Sequence, residues 1–159
     1  MKKKIIACSL FLFCVPSFAQ SVWINEINYD NPGTDISEFI EVAGIEGNSL
    51  DNFSLVFING SDTKTYLNYK LSGTIPNEKN GFGTVGFSFS NNMIQNGSPD
   101  GIALVKDSTE IIQFLSYKGQ INNWEYNGSK YSSYDIKISD DNNNVDILFT
   151  TNIQRCFFI

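Results

Sequence analysis

The sequence predicts an all-β protein built as a sandwich of antiparallel sheets. Past residue 20, short runs of alternating apolar and polar side chains are separated by Gly, Asn, Asp and Pro, and no run keeps the 3.6-residue period of a helix. The 159 residues, 42% of them hydrophobic, suffice for one domain with a core. Short strands joined by turn-rich loops are typical of a sandwich, with a barrel as the alternative.

The first residues have the pattern of a secretory signal peptide. Three lysines at positions 2–4 precede an apolar run over 5–15, and Ser17 and Ala19 place small residues before a cleavage site. A membrane anchor needs about 20 apolar residues, more than this run supplies. We expect a signal peptide over 1–19 and one domain over 20–159. The protein would be periplasmic, cell-surface or extracellular, with no membrane span in the mature chain.

Removal of that leader changes the charge and the cysteine count. The formal net charge of −6 becomes −9 because three lysines leave. Such an acidic surface disfavours the binding of nucleic acid, because that binding depends on basic residues that displace counterions. Cys8 and Cys14 also leave, and Cys156 alone cannot form an intramolecular disulfide. The core must therefore hold the domain together.

The chain contains no histidine. This excludes Ser-His-Asp and Cys-His catalysis and every zinc site built on imidazole. A glycosidase would need two carboxylates that face each other in a cleft, and the sequence offers many carboxylates but no sign of a cleft. We expect no enzymatic activity and no catalytic residue.

The clearest element is a hairpin over 53–71. Strand 53–58 leads into Asn59 and Gly60, which favour the positive φ angles of a tight turn, and strand 63–71 follows. Alternation places Leu55 and Phe57 on one face and Ser54 on the other.

Further strands are predicted over 22–29, 38–43, 83–89, 102–106 and 110–117, with weaker ones over 131–138 and 145–151, which makes about eight or nine strands in all. Turn residues predict loops over 30–35, 96–101 and 140–144.

Carboxylates are the chemical groups that the sequence offers for a site. Acidic residues cluster early in the chain, with one more in a later loop: Glu26, Asp30, Asp35, Glu38 and Glu41, then Asp100. Such groups could bind Ca²⁺, which takes six to eight oxygens, but their spacing matches no calcium loop. In the structural alternative, Glu26 and Glu38 hold backbone amides or face solvent, and the aspartates cap turns. We expect no cofactor, and Ca²⁺ is the one ion left open.

Aromatic side chains offer a second kind of site, a stacking platform for sugars or bases. Trp23 lies in a strand whose pattern suits the core, so we predict that it is buried. Trp124, Tyr126, Tyr131 and Tyr134 lie in or after a stretch rich in Gly and Asn, where ordinary packing is the alternative to a platform.

Several segments, taken in order, resemble the lamin-tail domain family in its bacterial exported form. They are INEINYDN at 24–31, GTD at 33–35, EFIEVAG at 38–44, LDNFSLV at 50–56, LSGTIP at 71–76, NGFG at 80–83, IQNGSPDGIALV at 94–105 and QFLSY at 113–117. The resemblance covers about residues 22–119. It implies an immunoglobulin-like β-sandwich that acts as a non-catalytic module for binding or attachment.

The resemblance weakens towards the end of the chain, where 151–159 lacks the expected closing segment with Trp and Pro. The expected function is an exported module that binds a protein or a polysaccharide at the cell surface. Three alternatives stay open: an accessory module of a secreted nuclease or phosphatase, a carbohydrate- or calcium-binding module, and a truncated fragment of a longer surface protein.

Overall fold

The computed structural model describes residues 21–31 and 35–137 together with the backbone of 147–148. Within these ranges the regular structure consists of eleven strands. They are β1 (Val22–Asn28), β2 (Phe39–Ile45), β3 (Phe53–Asn59), β4 (Lys64–Lys70), β5 (Phe82–Ser88), β6 (Asp100–Lys106), β7 (Glu110–Tyr117), β8 (Trp124–Tyr126), β9 (Ser129–Tyr131), β10 (Tyr134–Asp135) and β11 (Ile147–Leu148). The predicted leader, the loop over 140–144, most of the strand over 145–151, Cys156 and the closing segment lie outside the described residues.

Nine of the strands form two sheets packed face to face, which confirms the predicted all-β sandwich, and β8 and β9 form a separate hairpin. Sheet I has the order β11-β1-β2-β5 and is antiparallel throughout. Sheet II has the order β10-β7-β6-β3-β4 and is antiparallel except where β10 runs parallel to β7. In the described part of the chain, no helix has the length and apolar character needed to cross a membrane.

The main core lies between the two sheets. Alternate residues of β1 and β2, such as Ile24 and Ile40, meet Leu55, Phe57 and Leu115 of sheet II, and none of these five is more than 1% exposed. Each such side chain stabilises the fold by about 1.5–3 kcal/mol relative to an exposed position.

A second, smaller core covers the outer face of sheet II. The β8–β9 hairpin lays Trp124, 1% exposed, over Val56, Ile58 and Phe114. The Trp124 indole N–H donates to Oγ1 of Thr65 at 3.3 Å. β3 is therefore buried on both faces. Ordinary packing is confirmed for Trp124, and Tyr126 and Tyr131 pack half-buried against it, while Tyr134 is 38% exposed.

The β3–β4 hairpin is confirmed, but the prediction for its turn is wrong. Asn59 pairs with Lys64, and residues 60–63 connect the strands, with the left-handed φ at Thr63 (57°). Gly60 is needed for a different reason, because a Cβ there would lie 2.0 Å from the Pro99 carbonyl oxygen. This turn packs against the loop before β6, and the close approach replaces the positive φ that the Asn-Gly pair suggested.

The prediction that Trp23 is buried in the core is also wrong. Val22 and Ile24 occupy the buried positions of β1, and strand alternation places Trp23 on the outer face of sheet I. There the ring is half-buried, opposite Ala43, and its centroid lies 6.3 Å from that of Phe82, which is 49% exposed.

Candidate functional site

Four connections meet at one end of the sandwich, which we call the loop end. They are the described residues between β1 and β2 (29–31 and 35–38), residues 60–63 between β3 and β4, 89–99 between β5 and β6, and the segment after β7 that begins at Lys118. Residues of the first three connections, with the adjoining ends of β3 and β6, line a cavity of about 380 Å³, the loop pocket. Its lining residues are Asp35, Asn59, Ser61, Asn92, Ile94, Gln95, Asn96, Gly97, Ser98, Pro99 and Asp100.

Glu38 is fully buried and anchors the loop over 89–99. Its Oε2 accepts hydrogen bonds from the backbone N–H groups of Met93 (2.9 Å) and Ile94 (3.0 Å). Its Oε1 is buried and has no hydrogen-bond partner among the described residues. Burial raises the pKa of this carboxyl because the charged form loses its hydration, and nearby Asp35 raises it further, while the N–H groups act in the opposite direction. Glu38 thus shapes one wall of the loop pocket.

Asp100 joins the hairpin turn to the same loop. It is 3% exposed, and its Oδ1 accepts the N–H of Gly60 at 3.0 Å while its Oδ2 accepts the N–H of Gly97 at 2.7 Å. A carboxylate that accepts from two backbone segments holds both in place. Asp100 therefore holds two segments of the loop pocket together and is also one of its lining residues.

A polar network ties the first loop to the segment after β7. Asp35 accepts the N–H of Asn31 at 2.9 Å and the side-chain amide of Asn96 at 3.0 Å. The same Nδ2 of Asn96 also lies 3.2 Å from Oδ1 of Asp30. Lys118 Nζ completes the network, 2.7 Å from Oδ2 of Asp30 and 3.1 Å from the carbonyl oxygen of Asn96.

Two tyrosines clamp the backbone of Gln95. The Tyr66 hydroxyl oxygen accepts the Gln95 N–H at 3.0 Å, and the Tyr117 hydroxyl donates to the Gln95 carbonyl oxygen at 2.5 Å. Burial raises the pKa of both hydroxyls, so both stay protonated at neutral pH. The Tyr117 ring also stacks on Tyr29, with centroids 3.8 Å apart.

Of the six carboxylates that the sequence offers for calcium, the structure brings together four, Asp30, Asp35, Glu38 and Asp100. Glu26 lies instead in β1, where the register shifts and Glu41 is its partner on β2. The four loop-end carboxylates hold backbone N–H groups, an Asn amide and a lysine, as described above. In the ranges that the structure describes, no group of three or more His, Cys, Asp or Glu side chains is placed to hold a metal ion.

The sequence did not predict four residues of this site: Lys118, Gln95, Tyr66 and Tyr117. Their partners lie 22 to 88 positions away along the chain, and no local pattern signals such contacts. Among the lining residues of the loop pocket the side chains are mainly amides, hydroxyls and carboxylates.

Comparison of the chain with models of protein families, with curated proteins and with solved structures finds no match in any of the three.

Proposed function

We propose that the chain is an exported, non-catalytic binding module of the lamin-tail type, with an immunoglobulin-like sandwich, and that it binds a neutral polysaccharide outside the cell. The observation that carries the proposal is the loop pocket of about 380 Å³, within the size range of ligand sites. The sandwich supplies the scaffold, and the loops at one end supply the contacts.

Hydrogen bonds with side chains hold the backbone that forms the walls of the loop pocket. Glu38 and Asp100 each accept two backbone N–H groups, and two buried tyrosine hydroxyls hold Gln95. A preformed site loses less conformational entropy on binding than a mobile one. This bracing supports a binding role for loops that would otherwise be ordinary connections.

The lining chemistry supports a ligand rich in hydroxyl groups. Asn59, Ser61, Asn92, Gln95 and Ser98 combine donors and acceptors on short side chains, which suits the hydroxyls of a sugar. The lining also contains two carboxylates, and the whole chain carries a formal charge of −6. Both features disfavour phosphates and acidic polymers.

The proposal is tested by affinity electrophoresis of the purified protein in gels that contain soluble glucan, mannan or xylan. We expect at least one of these polymers to retard the protein. Ser61→Trp places a large ring at an exposed lining position and should weaken retardation by about tenfold or more, which corresponds to about 1.4 kcal/mol. Ser72→Trp, at an exposed serine outside the lining, is the matched control.

Three results would contradict the proposal or a part of it. If none of the three polymers retards the protein, a polysaccharide is excluded as its ligand. If both tryptophan variants are retarded equally, the binding site lies elsewhere on the protein. The release of new reducing ends from a retained polymer would contradict the non-catalytic part.

A further inference from the structure

Lys118 and Asp30 form an enclosed pair that connects the two sheets. Asp30 follows β1 of sheet I, and Lys118 follows β7 of sheet II, 88 positions later. Their side chains are only 15% and 13% exposed. The ring of Tyr29 lies 5.7 Å from the Lys118 Nζ and rests on the buried Tyr117. Most surface ion pairs are far more open to water and hold no fixed geometry.

Each atom of the pair has a defined neighbour. Nζ of Lys118 lies 2.7 Å from Oδ2 of Asp30, and it also donates to the Asn96 carbonyl oxygen at 3.1 Å. The other carboxylate oxygen, Oδ1, accepts from Nδ2 of Asn96 at 3.2 Å. Asn96 is held in turn by Asp35 at 3.0 Å. An ammonium nitrogen, a carboxylate and a donor to one of its oxygens are therefore adjacent, and such fixed proximity favours acyl transfer.

We propose that Lys118 and Asp30 condense to an intramolecular amide that joins the two sheets covalently. One proton passes from the Nζ ammonium to Oδ2 of the carboxylate, which leaves a neutral amine and a carboxylic acid. Nζ then attacks Cγ of Asp30, and the negative charge that develops on Oδ1 is stabilised by the side-chain amide of Asn96. A second proton moves from Nζ to the departing hydroxyl, the Cγ–Oδ2 bond breaks and one water molecule leaves.

The reaction needs no oxidant, reductant or second reactant. Fixing two reacting groups in contact raises their effective concentration to about 10⁵–10⁸ M, which favours a condensation that is slow between free molecules. The resulting bond would close a loop of 88 positions and restrict the unfolded chain, as a disulfide does. It would supply a covalent cross-link to a mature chain whose single cysteine cannot form an intramolecular disulfide.

The test is the intact mass of the purified, denatured protein. We expect the natural chain to be lighter than its sequence mass by one water molecule. Asp30→Asn offers an amide in place of the acid, so it should lose one ammonia and arrive at the same final mass as the natural product. Lys118→Met should keep its full sequence mass. After trypsin, tandem mass spectrometry should find one peptide that contains both residue 30 and residue 118, uncut after Lys118.

Three results would overturn the proposal. The natural chain could show its full sequence mass. The water loss could persist in Lys118→Met, which would assign it to another reaction such as ring closure at Asp100. The tryptic digest could contain the Lys118 peptide cut and unlinked. The natural chain alone decides the first and the third result, so neither of them depends on how well a variant folds.

Discussion

At the residue scale, the loop end depends on side chains that hold backbone from distant parts of the chain. The acidic character of Glu38, Asp100, Asp30 and Asp35 could be predicted from the sequence, and so could their use as turn and amide anchors. Their partners could not, because hydrogen bonds such as that from Gly60 to Asp100 join segments 40 positions apart. Local patterns report on neighbours in sequence, and this site is built from neighbours in space.

Glu38 predicts a specific dependence of stability on pH. Its folded-state pKa lies above the ordinary value of 4.5, so the folded protein holds this proton more tightly than the unfolded chain does. The stabilisation is complete below pH 4.5 and is lost as the pH rises through the raised pKa. Glu38→Gln keeps an oxygen for Met93 and Ile94 and has no proton to lose. From pH 4.5 upwards, urea unfolding should show the natural chain losing stability relative to this variant, and parallel curves would contradict the role of Glu38.

Gly60 predicts a steric effect that is independent of φ. In Gly60→Ala the new Cβ would lie 2.0 Å from the Pro99 carbonyl oxygen, so the backbone of the turn or of the loop must shift. We expect a loss of about 1–3 kcal/mol in the free energy of unfolding. Gly86→Ala is the control, since its Cβ would meet nothing within 4 Å, and it should change stability by no more than about 0.5 kcal/mol. Equal effects of the two substitutions in urea titrations would refute this explanation.

At the scale of elements, alternation and turn residues predict most of the two sheets. Strands predicted over 22–29 and 110–117 correspond closely to β1 (Val22–Asn28) and β7 (Glu110–Tyr117). The same reasoning missed β8 and β9, because each has only three residues and the stretch is rich in Asn and Gly. It also misplaced Trp23, since a period of two gives two faces but does not say which one an aromatic ring occupies.

β3 is buried on both faces, and this predicts how its substitutions differ. Leu55→Asp or Phe57→Asp would place a charge in the main core and should abolish folding. Ser54→Asp, at a half-buried position of the same strand, should leave a folded protein. Circular dichroism during thermal unfolding is the readout, and equal tolerance of all three substitutions would refute the assignment of the strand.

The β8–β9 hairpin forms its own small core, which can be weakened without opening the main one. Trp124→Ala should cost about 3–5 kcal/mol because it empties the centre of that cluster. Tyr134→Ala, at a residue 38% exposed, should cost far less. Urea unfolding of the two variants checks the difference, and similar losses would mean that the hairpin does not pack as described.

At the scale of the whole molecule, the two cores lie on the faces of the sheets, and the proposed binding site lies at the loop end. The two cores hold the sheets, while four connections at the loop end carry the braced pocket and the Lys118–Asp30 pair. The fold class followed from the sequence because a two-residue period and turn-rich loops recur along the chain. The loop pocket could not be predicted from the sequence, because its shape depends on how strands distant in sequence are ordered in the sheets.

The most direct test of the central claim is a titration of the ¹⁵N-labelled protein, followed by amide chemical shifts, with an oligosaccharide of the polymer that retards it. We expect the largest shifts at residues that line the loop pocket, namely 35, 59, 61, 92 and 94–100. Shifts confined to the outer face of sheet I around Trp23 and Phe82, or no shifts at millimolar oligosaccharide, would contradict it.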